Sequence, residues 1–72
     1  MPYNGHRSWD AWNVSLWISN DEHLYREAVR LIKRYGKDKG SLHFYRMVEG
    51  TKTPDGAPYS RRSIREAFVE MS

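Results

Sequence analysis

Apolar residues recur along most of this chain at helical spacing, and capping residues, glycines and prolines punctuate the pattern. The clearest stretch holds Leu24, Ala28, Leu31, Ile32 and Tyr35 at i, i+4, i+7, i+8 and i+11, which is one face of an α-helix. Asn20-Asp21 opens it with acids Asp21 and Glu22 in the first turn. Gly36 stands where a left-handed closing residue is wanted, and Arg30, Lys33 and Arg34 crowd the last turns, where the helix dipole favours cations. Lys37-Asp38-Lys39-Gly40 reads as a polar loop. Ser41 then caps a short helix with Leu42, Tyr45 and Val48 on its stripe and Phe44 and Met47 beside it, ended by Gly50; a strand over 42–48 competes with that reading.

The stretch Trp9–Ser19 carries two patterns. Trp12, Val14, Leu16 and Ile18 alternate with Asn13 and Ser15, as in a half-buried strand, but Trp17 breaks the alternation. As a helix it places Trp9, Trp12 and Leu16 on one side and Val14, Trp17 and Ile18 on another, so it would be central, with neighbours on two sides. Ser8 and Asn20-Asp21 cap both ends and favour the helix. Residues 1–7 read as irregular, with a turn at Asn4-Gly5. Thr53-Pro54-Asp55-Gly56 has the chemistry of a type I turn, and Pro58 prolongs the irregular stretch. Ser60 caps a last helix with Ile64, Ala67, Phe68 and Met71 as its stripe, Arg61, Arg62 and Arg65 near its start, and Glu66 and Glu70 on another side. The predicted fold is a single all-α domain over residues 1–72, a small compact bundle of three to four short helices.

Composition narrows this further. A domain of 72 residues buries only about 60% of the surface its unfolded chain exposes, so its stability margin is thin. There is no cysteine, hence neither a disulfide nor a thiolate metal site, which fits a reducing cytoplasm. Three Trp, five Tyr and two Phe supply the area from which a small core can be built, with dimerisation left open. Met1–Gly5 lacks the basic start and apolar stretch of a signal peptide, and the longest apolar run, Leu16-Trp17-Ile18, is far below the ~20 residues of a membrane span. The net charge of +3 makes a nucleic acid or an acidic protein a plausible partner without requiring one.

Tyr3-Asn4-Gly5, then Trp12-Asn13-Val14-Ser15-Leu16-Trp17-Ile18-Ser19-Asn20-Asp21 with Leu24-Tyr25, resembles the N-terminal signature of a family of small uncharacterised proteins encoded by phages, plasmids and related mobile elements. The Thr-Pro-Asp-Gly turn at 53–56 is also similar to some members. The likeness covers about the first 25 residues well and the rest loosely. His6 stands where an aromatic is common and Trp9 where Tyr is common. The resemblance implies origin more than mechanism: it points to a protein that interferes with a host system, such as a defence complex, in the host-cell cytoplasm.

Few residues suggest chemistry. His23 and Glu27 lie at i, i+4 on one helix face but lack the third ligand a zinc site wants, so no metal is expected. No phosphate loop, nucleophile elbow or HExxH is present, and so small a chain should leave little pocket volume; neither an enzyme nor a cofactor is expected. Two basic clusters are the candidates for contact. Arg26, Arg30, Lys33 and Lys37 form a ridge opposite the apolar stripe. Arg61, Arg62 and Arg65 follow Ser60 at a helix start, where free N–H groups and guanidinium groups suit phosphate oxygens. Ser60–Phe68 also looks like the recognition helix of some winged helix-turn-helix repressors, yet the helix and tight turn that must precede it are replaced by a stretch with two prolines and a glycine. Of Trp9, Trp12 and Trp17, Trp12 and one other are expected in the core, and an exposed one would be a partner anchor. Asn13, if buried, should brace the turn at Asn20-Asp21 or the N-terminal loop. The reading that results is a binding protein whose contact residues are Arg61, Arg62 and Arg65, then Arg30, Lys33 and Lys37. A host protein is the leading partner, a nucleic acid the alternative.

Overall fold

The computed structural model describes residues 6–71; the expected Asn4-Gly5 turn lies outside them. Three helices pack around one core: α1 (Trp9–Asn20), α2 (Glu22–Val48) and α3 (Arg61–Glu70). The protein is all-α.

Each start is set by a side-chain cap. The hydroxyl of Ser8 accepts from Ala11 N, the carboxylate of Asp21 from Leu24 N, and the hydroxyl of Ser60 from Ser63 N. Asp21 also closes α1, its own N–H donating to Trp17 O at 2.9 Å, so one residue serves both helices. These caps settle the ambiguity at Trp9–Ser19 in favour of the helix. A strand would put Trp12, Val14, Leu16 and Ile18 on one face; in the helix Ala11, Val14 and Ile18 go inward and Leu16 faces solvent. None of the three tryptophans is fully buried. Trp12 and Trp17 are half-buried, and Trp9 is 40% exposed.

α2 is two helical limbs joined at Gly36, whose φ of 85° and ψ of 174° break the helix without ending it. The break falls where the sequence places it, but the polar loop at 37–40 does not form, and neither does a strand over 42–48. Helix resumes at once, so Ser41 caps nothing: it lies within the second limb and donates to Asp38 O at 2.7 Å. The earlier restart also rotates the buried face. Gly40, Ser41 and Phe44 point inward, while Leu42, Tyr45 and Val48 are only half-buried. Gly40 permits the fold-back, because a Cβ there would lie 2.9 Å from Leu31 O. Across the bend Tyr35, expected in the stripe, is exposed and stacks on His43 with ring centroids 4.0 Å apart.

The core joins Val14 and Ile18 of α1, Ala28, Leu31 and Phe44 of α2, Ala57 and Tyr59 of the connection, and Ile64, Ala67 and Phe68 of α3. Phe44 and Phe68 meet edge to face at 5.3 Å, the favoured arrangement for ring quadrupoles. Residues 49–60 carry the expected turn, closed by Gly56 N donating to Thr53 O at 2.9 Å, and Lys52 pairs with Pro58 as a short antiparallel bridge. This connection occupies the place where a helix-turn-helix would need its first helix and tight turn, so that resemblance of α3 is confined to its sequence.

Asn13 is buried, and its partner differs from the expected one. Its Oδ1 accepts from Thr53 Oγ1 at 2.6 Å and its Nδ2 donates to Asp55 Oδ2 at 2.9 Å. Trp17 Nε1 donates to the same carboxylate oxygen at 2.9 Å. Ala57 N donates to Thr53 Oγ1 at 3.0 Å. The amide therefore braces the 53–57 turn against α1, not the turn at Asn20-Asp21. The two donors hold the Asp55 carboxyl below its ordinary range, Asn13 contributing most and Trp17 next.

Candidate functional site: an arginine-lined groove on α3

α3 buries Ser63, Ile64, Ala67 and Phe68 and turns the rest of its circumference outward. Arg61, Arg62, Arg65 and Val69 lie on that outer face. Arg62, Arg65, Glu66 and Val69, with Arg7 from the segment before α1, line an open groove of about 510 Å³. That corrects the expectation that so small a chain leaves little concave volume. Arg61 is exposed at the start of the same helix but is not a lining residue.

Charge placement here runs against helix stability. The N-terminal end of a helix carries positive partial charge and favours acids. α3 has no acid in its first turn and instead has Arg61 and Arg62 there. Among the described residues, neither these two nor Arg7 makes an ion pair, whereas Arg65 donates from Nε to Asp38 Oδ1 at 2.8 Å. Lys37 Nζ donates to Val69 O at 2.9 Å near the end of α3, where a cation suits the dipole.

Arg7 reaches the groove because its neighbour is fixed. His6 is buried, with Nδ1 2.8 Å from Glu66 Oε1 and Nε2 3.0 Å from Glu70 Oε1. Ser15 Oγ donates to Glu70 Oε1 at 3.0 Å, so α1 joins the same cluster. The two glutamates lie i, i+4 on the side of α3 facing His6, which is the spacing that lets both reach one ring.

The ridge expected on α2 is divided. Arg26 pairs with Glu22 and Arg30 with Glu27. The hydrogen bond from Arg30 holds Glu27 below the ordinary carboxylate range and raises Arg30 in turn. Gly36 bends the chain before Lys37, which goes to α3. Arg30 and Lys33 instead share a shallower, mainly apolar concavity of about 360 Å³ with Tyr25, Arg26 and Val29. Of the six residues singled out from sequence, Arg62 and Arg65 line the α3 groove, with Arg61 and Lys37 at its helix; Arg30 and Lys33 lie elsewhere. Sequence reasoning missed Arg7, Val69 and Tyr25. Only the position of Arg7 beside a histidine, with paired glutamates on the last helix, offered a signal.

Among the described residues no group of three or more His, Asp or Glu could hold a metal ion, and no helix is long and apolar enough to cross a membrane.

Fold and groove together define a small all-α domain with a cationic, partly apolar concavity on its last helix. The chain belongs to a family of unknown function, DUF7249, whose match spans residues 1–72. No curated protein and no solved structure matches it.

Proposed function

We propose that this protein acts by binding a partner protein, with the arginine face of α3 docking an acidic surface. The observation that carries this reading is the placement of Arg61 and Arg62 at the helix end where they oppose the dipole, with Arg7 and Arg65 converging on the same groove. Such a placement weakens the helix locally and is accounted for by a ligand that supplies negative charge. Arginine also ranks among the residues that dominate protein interfaces, through its forked fit to carboxylates and its apolar stem.

The rest of the face favours protein over nucleic acid. Val69 adds an apolar contact to the groove, and Asp38 pairs with Arg65 beside it. Among the described residues, none with an aromatic ring lines the groove to stack on a base. The mobile-element origin implied by the N-terminal signature makes a host protein, such as a component of a defence complex, the partner class.

The test compares affinity capture from host lysate by the unaltered protein and by a variant carrying Arg7→Glu, Arg62→Glu and Arg65→Glu. Gel shifts with duplex and single-stranded DNA and with RNA run beside it at about 50 and 200 mM salt, a range over which phosphate contacts weaken steeply. The expected result is a stoichiometric host protein retained by the native face and lost in the variant, with no shift of nucleic acid. Salt-sensitive nucleic-acid binding abolished by the same substitutions would replace the proposal with the nucleic-acid reading.

A further inference from the structure

The groove has a chemistry more specific than positive charge. Its acid, Glu66, is already engaged by His6, and the nearby Asp38 is engaged by Arg65. Arg65 uses its Nε for that bond, which orients the guanidinium and leaves both terminal amino groups available. Arg62 is three residues earlier on the same helix face. Arg7 enters from a separate segment, held over α3 by the His6 contacts at 2.8 and 3.0 Å. Arg7, Arg62 and Arg65 thus line one open groove of about 510 Å³ together with Glu66 and Val69.

A carboxylate carries one charge on two oxygens and is satisfied by one guanidinium fork. A phosphate monoester carries about 1.5 to 2 negative charges near neutral pH and presents three acceptor oxygens, enough for several forks at once. We infer that this groove is a subsite for a phosphorylated side chain on the partner protein. The inference rests on the proposed protein-binding function and adds to it the chemical class of the residue recognised. Arg7, Arg62 and Arg65 contact the phosphoryl oxygens, and Val69 packs on the carbon atoms of the phosphorylated residue. His6 is a positioning residue, acting through the placement of Arg7.

Fluorescence anisotropy on the full chain tests this. The probes are labelled short peptides of one neutral sequence, differing only at a central serine, glutamate, phosphoserine or phosphotyrosine. A 5′-phosphorylated oligonucleotide of mixed sequence is the nucleic-acid arm, and inorganic phosphate is the competitor. The expected result is that a phosphopeptide binds at least tenfold tighter than the glutamate peptide and is displaced by inorganic phosphate. Arg7→Gln and Arg62→Gln should each weaken it about tenfold, whereas Arg46→Gln, which removes an exposed cation outside the groove, should leave it unchanged. His6→Gln should lower affinity for the phosphopeptide while the Arg7→Gln, His6→Gln pair loses little more than Arg7→Gln alone. That non-additivity separates positioning from a general loss of fold, and circular dichroism melts check that each variant is folded. Equal binding of the glutamate and phosphorylated peptides, an equal loss in Arg46→Gln, or no phosphopeptide binding would overturn the phosphoryl subsite and leave the lysate-capture reading standing. Tighter binding of the oligonucleotide than of either phosphopeptide would overturn both.

Discussion

Replacing Asn13 by Ala should be among the most damaging single substitutions away from the aromatic core. The side chain is 1% exposed, and its Oδ1 accepts the Thr53 hydroxyl at 2.6 Å. Losing a neutral buried hydrogen bond costs about 1 kcal/mol, and leaving the Thr53 hydroxyl without an acceptor adds about 1–3 kcal/mol, for a total of about 2–4 kcal/mol. The bond to Asp55 is lost as well, but that carboxylate faces solvent and water replaces the donor. At roughly 0.05–0.15 kcal/mol per residue, a domain of this size has on the order of 4–11 kcal/mol in all. The substitution therefore removes a large share, and the melting temperature should fall by on the order of 10–25 °C. The assay is thermal and urea unfolding followed at 222 nm for the native protein, Asn13→Ala, Thr53→Val and the double variant. Thr53→Val alone loses the same bond and also the acceptor of Ala57 N–H. Because the two side chains act on each other, the double variant should be less damaged than the sum of the singles by more than about 0.5 kcal/mol. A loss below about 1 kcal/mol in Asn13→Ala, or strict additivity in the cycle, would refute the argument that this amide holds the turn to α1.

Other consequences follow from the same structure. The Asp55 carboxyl sits below its ordinary value of 3.8, so its contribution to stability is complete above that pH and is lost as pH falls through the depressed folded value. Melting temperature measured from pH 7 down to pH 2 should show an acid-side decline that is shallower in Asp55→Asn. Gly40→Ala should destabilise by about 1–3 kcal/mol, since its Cβ meets the backbone of Leu31 rather than a yielding side chain. Gly36→Ala has open space around it, so its cost of about 1–3 kcal/mol comes from the backbone alone, since φ 85° with ψ 174° is a region essentially restricted to glycine. Urea midpoints of Gly36→Ala and Gly40→Ala measure the two costs, and a midpoint equal to that of the native protein in either variant would refute the cause given for it. Ser60→Ala removes the cap of α3 and should cost about 0.5–2 kcal/mol, read as a lower urea midpoint with an unchanged slope.

What was legible in the sequence depended on how local the cause was. Ser8, Asp21 and Ser60 act within three residues of themselves, and each caps the helix expected of it. The Gly36 break and the Thr-Pro-Asp-Gly turn are local too, and both were readable. The length of the second limb of α2 was not. Lys37, Asp38 and Lys39 look like a loop because they are polar, yet they form the outer face of a helix whose inner face begins with Gly40 and Ser41. A glycine that disappears into a backbone-to-backbone contact carries no hydrophobic signal, so the stripe was placed on Leu42, Tyr45 and Val48 in place of Phe44. The arginines on α3 were visible as a cluster. Arg7 was not, because it joins them through His6 and two glutamates some sixty residues away.

The brace between Asn13 and the 53–57 turn also bears on the order of events in folding. The partners are separated by 40 and 42 residues, so in the unfolded chain the bond closes a long loop, whose entropy cost rises with length. Both limbs of α2 lie within that loop, and their folding back at Gly36 would shorten it. We expect the amide and the turn to dock after the transition state has been crossed. Interactions made late hold a protein folded without hurrying its folding. Damage at Asn13 should appear in the unfolding rate, while refolding proceeds at nearly its native speed. On that expectation, a turn without regular secondary structure contributes to the lifetime of the folded domain.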